Sequence, residues 1–171
     1  MKAVLLSILA ASATATTATL TSVTPDNLVT TATPTTVTYI FTPTNAVLAD
    51  GTFAFTHSAA RFAADSAVTC QYTCAGTCAG QSTADKVVCE ATGAGTINTC
   101  TLASTDATLD TGAVTVTCNS NIKVNGAADD YTTTMVTSTD DDPSAAATTT
   151  ITSAPGCTIP ALGNGLAVGD C

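Results

Sequence analysis

The stretch PTTVTYIFTP, residues 34–43, limits the fold more than any other part of the chain. Its residues alternate: Val37, Tyr39 and Phe41 fall on one face, and Thr36, Thr38 and Ile40 on the other. A soluble strand normally turns Lys, Glu or Arg outward, whereas this one turns out threonine. The same texture recurs in TATLTSV (17–23), TFAFTHS (52–58), SAVTCQYTC (66–74), KVVCEA (86–91), INTCTLA (97–103), GAVTVTC (112–118), NIKV (121–124) and YTTTMVTST (131–139). Threonine and valine are stiff at χ1 and favour strands over helices. Only HSAARFAADSA (57–67) offers a helical turn or two. The Asp50-Gly51 step predicts a hairpin joining VLA to TFAFTHS, and Asn125-Gly126 predicts a further turn. Short strands at regular spacing, broken by turn residues, predict an all-β antiparallel sandwich.

The chain has 171 residues, enough for one packed core plus extensions. The N-terminus has the form of a secretory signal over residues 1–15. Lys2 supplies the positive start, AVLLSILAA the short apolar run, and small-residue cleavage sites follow; an ordinary N-terminal strand is the alternative. The apolar run is too short to span a bilayer, which argues against membrane insertion. Residues 16–139 carry the strand pattern. Beyond them, DDDPSAAATTTITSAPG has no period, so residues 140–171 read as an acidic, Thr-rich linker with a small Cys-bracketed loop, an extended C-terminal arm. The eight cysteines are Cys70, Cys74, Cys78, Cys89, Cys100, Cys118, Cys157 and Cys171. An even count behind a signal peptide predicts disulfides in a secreted, extracellular protein. The expectation is that Cys157 pairs with Cys171 and that the upstream six pair among themselves. The Cys70-x3-Cys74-x3-Cys78 spacing does not fit the usual zinc patterns.

Charge and motif together narrow the function. The formal net charge is −9, with four cationic residues: Lys2, Arg61, Lys86 and Lys123. Phosphate recognition needs clustered cations, so nucleic acid is not an expected partner. No phosphate-cradling or dinucleotide motif occurs. His57 is the one histidine and no nucleophile motif accompanies it, so it reads as a solvent-side or partly buried strand residue. These features argue against an enzyme, and no cofactor is expected. Asp140, Asp141 and Asp142 could hold calcium together with Asp129 and Asp130, but no EF-hand spacing is present and a solvated acidic turn before Pro143 is the favoured reading.

Uncharged strands of high β-propensity are aggregation hazards unless something covers them. Three explanations stand: edges paired with a neighbouring copy, faces coated with sugar, or plain compositional drift toward Thr and Ala. Threonine serves the first two, through its branch and its hydroxyl. No N-x-[ST] sequon is present, so sugar would be O-linked. Thr-Pro recurs at Thr24, Thr33 and Thr42, marking either successive strand ends or attachment sites.

The run TVTYIFTPTNAVLADGTFAF, with GAVTVTCNSNIKVNGAADDYTTTMVTSTDDD, resembles an Ig-like extracellular module found in secreted proteins of algae, other protists and some bacteria. The resemblance implies an Ig-like β-sandwich and a subunit of glycan-coated extracellular filaments of aquatic microorganisms. The expected function is therefore a structural subunit of a glycosylated filament or wall layer. The copies would associate head-to-tail by exchange of a strand or arm, either Thr16–Val23 or Ala145–Ser153. The alternative is a monomeric adhesion or carbohydrate-binding module of a surface protein, with glycans as its partner.

Overall fold

The computed structural model describes residues 16–75, 78, 87–103 and 107–154. The expected signal segment, 1–15, and the expected Cys157–Cys171 bridge lie outside the described residues. Apart from one short 3-10 turn, every regular element of the described chain is a strand in an antiparallel sheet, as the alternation predicts. Ten strands run in chain order: β1 (Thr19–Pro25), β2 (Val37–Thr42), β3 (Thr52–His57), β4 (Ser66–Val68), β5 (Cys70–Cys74), β6 (Val87–Thr92), β7 (Ile97–Leu102), β8 (Val114–Cys118), β9 (Asp130–Thr137) and β10 (Ala147–Thr150). They form a four-stranded sheet, β1-β2-β8-β5, and a six-stranded sheet, β10-β9-β3-β7-β6-β4.

Aromatic rings from β2 and β3 join the two sheets. Tyr39 and Phe41 point in from one sheet, Phe53 and Phe55 from the other, and all four are fully buried. The Tyr39 and Phe55 rings stack at 3.9 Å, and Phe41 meets Phe53 at 5.6 Å. Each such ring contributes roughly 1.5–3 kcal/mol through the apolar area it removes from water. Val114, Val116, Tyr72, Leu102 and Met135 continue the layer.

Among the described residues three disulfides are formed: Cys70–Cys118, Cys74–Cys78 and Cys89–Cys100. Cys70 faces Cys118 across the β5–β8 ladder, and Cys89 faces Cys100 across β6–β7. These two bridges therefore tie neighbours within a sheet and do not cross between sheets. Bridged cysteines of this kind belong to a chain that folds in an oxidising compartment.

Several local expectations are corrected. SAVTCQYTC is not one strand. It leaves the six-stranded sheet at Val68, which pairs with Cys89, and enters the four-stranded sheet at Cys70, which pairs with Cys118. The intervening Thr69 is held by Asn119 and Ser120, and strands that change sheet in this way make the corners of a sandwich. Asp50-Gly51 does not close a hairpin. Val47 bridges Leu109, while β3 pairs with β7 and β9. A Cβ on Gly51 would lie 2.7 Å from the Leu48 carbonyl oxygen, so this tight turn admits only glycine. NIKV contributes a single bridge, Phe62 to Ile122. HSAARFAADSA forms no helix: its backbone N–H groups at Arg61 and Phe62 go to the Gly95 carbonyl.

The largest correction concerns the linker expected from residue 140. Ala147–Thr150 is a strand paired with β9, Ile151 and Ser144 are buried, and Asp140 is fully enclosed. The sandwich therefore continues to Thr152, which bridges Val29. This segment hid from the alternation because its core-facing position is a threonine. Thr149 is buried and donates its hydroxyl to the Val23 carbonyl at 2.8 Å.

Candidate functional site

The calcium grouping is not assembled. Asp140 uses its carboxylate to accept from the Thr44 N–H at 2.8 Å, the Asn45 N–H at 3.2 Å and the Asn45 side-chain amide at 2.7 Å. Burial pushes its carboxyl up, but these donors outweigh burial and hold it below the usual range. An oxygen pair engaged with N–H groups is a structural anchor. Asp141 and Asp142 are exposed. Among the described residues, the only cluster of metal-type ligands is Cys70, Cys89 and Cys100, whose sulfurs are already in disulfides.

The Thr-Pro steps share one design. Pro25, Pro34 and Pro43 are buried, while Thr24 and Thr33 are exposed and Thr42 is half-buried. Each proline seats the chain and the preceding threonine is displayed. Pro25 ends β1 and Pro43 follows β2, as expected for a residue that cannot donate to a ladder. Thr24 and Thr42 belong to a wider surface. Across the four-stranded sheet, register places Thr24, Thr38, Thr117 and Gln71 in one row, and Ser22, Ile40, Thr115 and Thr73 in the next. Thr38 and Thr117 bring their hydroxyl oxygens to 3.4 Å. No charged side chain stands in these rows. On the six-stranded sheet the corresponding rows carry Thr56, Thr99, Thr101 and Thr134, with Glu90 among them.

His57 is buried, at 3% exposure, deeper than the solvent-side or partly buried position expected of it. It is the third inward residue of β3 after Phe53 and Phe55. The ring meets the Thr133 hydroxyl through Nδ1 at 2.9 Å and the Tyr39 hydroxyl through Nε2 at 3.1 Å. Burial, helped by the nearby Arg61 charge, lowers its pKa to about 3, so the imidazole is neutral at physiological pH. Burial likewise pushes the Tyr39 phenol well up. Walled off from solvent, this pair braces the two sheets with a polar contact.

Beside it opens a cleft of about 480 Å³, walled by the loop after β3, the loop before β9 and the start of β9. Ser58, Arg61, Lys123, Asp129, Asp130 and Tyr131 line it. Arg61 is 7% exposed and sits over the Tyr131 ring, its Cζ 3.3 Å from the ring centroid. Its main chain is clamped on both sides, donating to the Gly95 carbonyl and accepting from the Lys123 N–H. Gly95 has φ +86, and a Cβ there would lie 2.0 Å from the Phe62 carbonyl oxygen, so this clamp requires glycine. Among the described residues the guanidinium has one acceptor, Asn125 Oδ1, at a long 3.5 Å, and its Nε has none. Asn125 in turn donates to the Asn27 and Val29 carbonyls. It is therefore a buried strut of the cleft as well as part of a turn. The threonine rows follow directly from the alternation, whereas this cleft was not expected. Its one sequence signal is scarcity: Arg61 and Lys123 are two of only four cations in a strongly acidic chain.

No family model matches the chain. No curated protein matches it either. Among solved structures it is similar to the crystal structure of BslA, a bacterial hydrophobin, at 16% sequence identity and a TM-score of 0.47, covering 81% of this chain and 100% of that one. That likeness is too distant to carry an argument.

Proposed function

We propose that this chain is a structural subunit of an extracellular, glycosylated filament or wall layer. The observation that carries the reading is the outer face of the four-stranded sheet, whose rows of threonine hydroxyls hold no charge. Such a face is soluble only if something hydrates or covers it. O-linked sugar on the displayed Thr24, Thr33 and Thr42 would do so. Assembly by exchange has support in the topology: β1 and β10, at the two ends of the described chain, are both edge strands. Either can leave without opening the middle of a sheet, and the next copy's edge would restore its hydrogen bonds. Electron microscopy of native material tests the reading, with filaments or sheets expected. Intact mass should exceed that of the bare polypeptide from the same N-terminus and be unchanged by enzymes that remove N-linked sugar. Dispersed particles of bare polypeptide mass would overturn it.

The Arg61 cleft favours a second reading, a monomeric adhesion or carbohydrate-binding module. A pre-formed pocket with convergent polar groups is the usual form of a small-ligand site.

A further inference from the structure

Arg61 presents an energetic problem that the fold leaves open. A guanidinium stays charged in proteins, and burying a charge without a partner is costly. Here nine-tenths of the side chain is buried, its Nε has no acceptor, and its contacts are a neutral ring and one distant amide oxygen. A carboxylate is the group whose geometry matches the guanidinium fork. We infer that the cleft binds a carboxylate-bearing sugar, with Arg61 and Lys123 receiving the acid group. The inference deepens the second reading above by naming the ligand class.

The remaining lining narrows the choice. Asp129 and Asp130 stand in the same cleft and repel a densely anionic ligand, such as a phosphate cluster or a polysulfate. Each carboxylate has one oxygen engaged within the fold and a second that can accept from a sugar hydroxyl, and the Ser58 hydroxyl, which accepts from the Thr132 N–H, keeps its proton to donate. Ala59, Ala60 and Val124 supply an apolar wall for the C–H face of a ring. Tyr131 is not free for stacking because the guanidinium already covers it. One negative charge, several hydroxyls and a small apolar face describe a uronate. The cleft volume of about 480 Å³ admits a ligand of one or two rings.

The test titrates isotopically labelled protein with a galactose disaccharide carrying a single galacturonate, the neutral galactose oligomer of the same length and acetate, following backbone amide shifts. Saturable shifts at Arg61, Lys123 and Tyr131 are expected with the uronate, weakening as salt rises, and none with the neutral oligomer. Arg61→Gln should weaken binding about tenfold or more, the scale of one charge-assisted pair. Lys123→Gln, on an exposed residue, should weaken it several-fold with the fold intact, so the test stands even if Arg61→Gln does not fold. Equal binding of the neutral oligomer would overturn the carboxylate while sparing the carbohydrate-binding reading. Absence of any shift in the cleft would overturn both. Acetate binding as tightly as the uronate would overturn the sugar.

Discussion

His57 couples the interior to pH. Its pKa of about 3 in the fold lies below the unfolded value of 6.5, so the unfolded chain takes up the proton first. The stabilisation is therefore complete above pH 6.5 and is lost as pH falls toward 3, by about 1.4 kcal/mol per unit. Denaturant unfolding at pH 7 and pH 4.5 should differ by about 3 kcal/mol from this residue, and His57→Asn should flatten the slope. Asp140 acts in a lower window, because its carboxyl is held below 3.8 and its contribution fades only under that value. Asp140→Ala leaves the Thr44 and Asn45 N–H groups without acceptors and should cost about 3 kcal/mol, measured as a fall in urea midpoint. His57 was legible in principle: the period that marks Phe53 and Phe55 as core marks it too. Its polar identity masked that position, because the alternation says where a side chain points and not whether partners wait there. Arg61 was legible only as a scarce cation, since the pairing of two loops that builds its cleft leaves no period.

Among the elements, the strands of highest apolar alternation, β2, β3 and β8, stand where the sequence places them. The misread elements share a cause. SAVTCQYTC has one continuous alternation, yet the chain changes sheet at Thr69, and nothing in a period of two records which neighbour a residue pairs with. β10 was invisible because threonine takes its core-facing place. The two cross-strand bridges make a test at this scale. Cys70–Cys118 closes a sequence separation of 48 and Cys89–Cys100 one of 11. The chain-entropy model assigns about 4 kcal/mol to the first and about 3 kcal/mol to the second. Replacing each pair by alanine should lower the urea midpoint in that order. The Cys70–Cys118 variant should also loosen β5, an edge strand with β8 as its one ladder partner, seen as faster amide exchange from Gln71 to Thr73.

At the scale of the molecule, deleting residues 16–23 separates two roles for β1. The strand supplies Leu20 and Val23 to the core and the carbonyl that receives Thr149. If it serves only its own sheet, the shortened chain should fail to give a cooperative unfolding transition. If copies exchange it, the shortened chain should still fold as a monomer and should no longer polymerise.

The first and last described segments run side by side in the same direction, bridging at Thr17 with Asp142 and at Val29 with Thr152. Thr152 donates its N–H to the Leu28 carbonyl and accepts from Thr30, and Asp142 donates to the Thr16 carbonyl. Consider tension applied between residues 16 and 154. It draws the two segments in opposite senses along a shared axis, so the links between them are sheared together and not peeled one after another. Resistance to pulling is set by the rate of unfolding, not by its equilibrium, and simultaneous loading raises that barrier. Single-molecule extension from these two ends should show one abrupt rupture, and Thr149→Val, which removes the link to Val23, should lower the rupture force. A chain built this way resists extension from these two ends more than one whose terminal strands peel apart link by link.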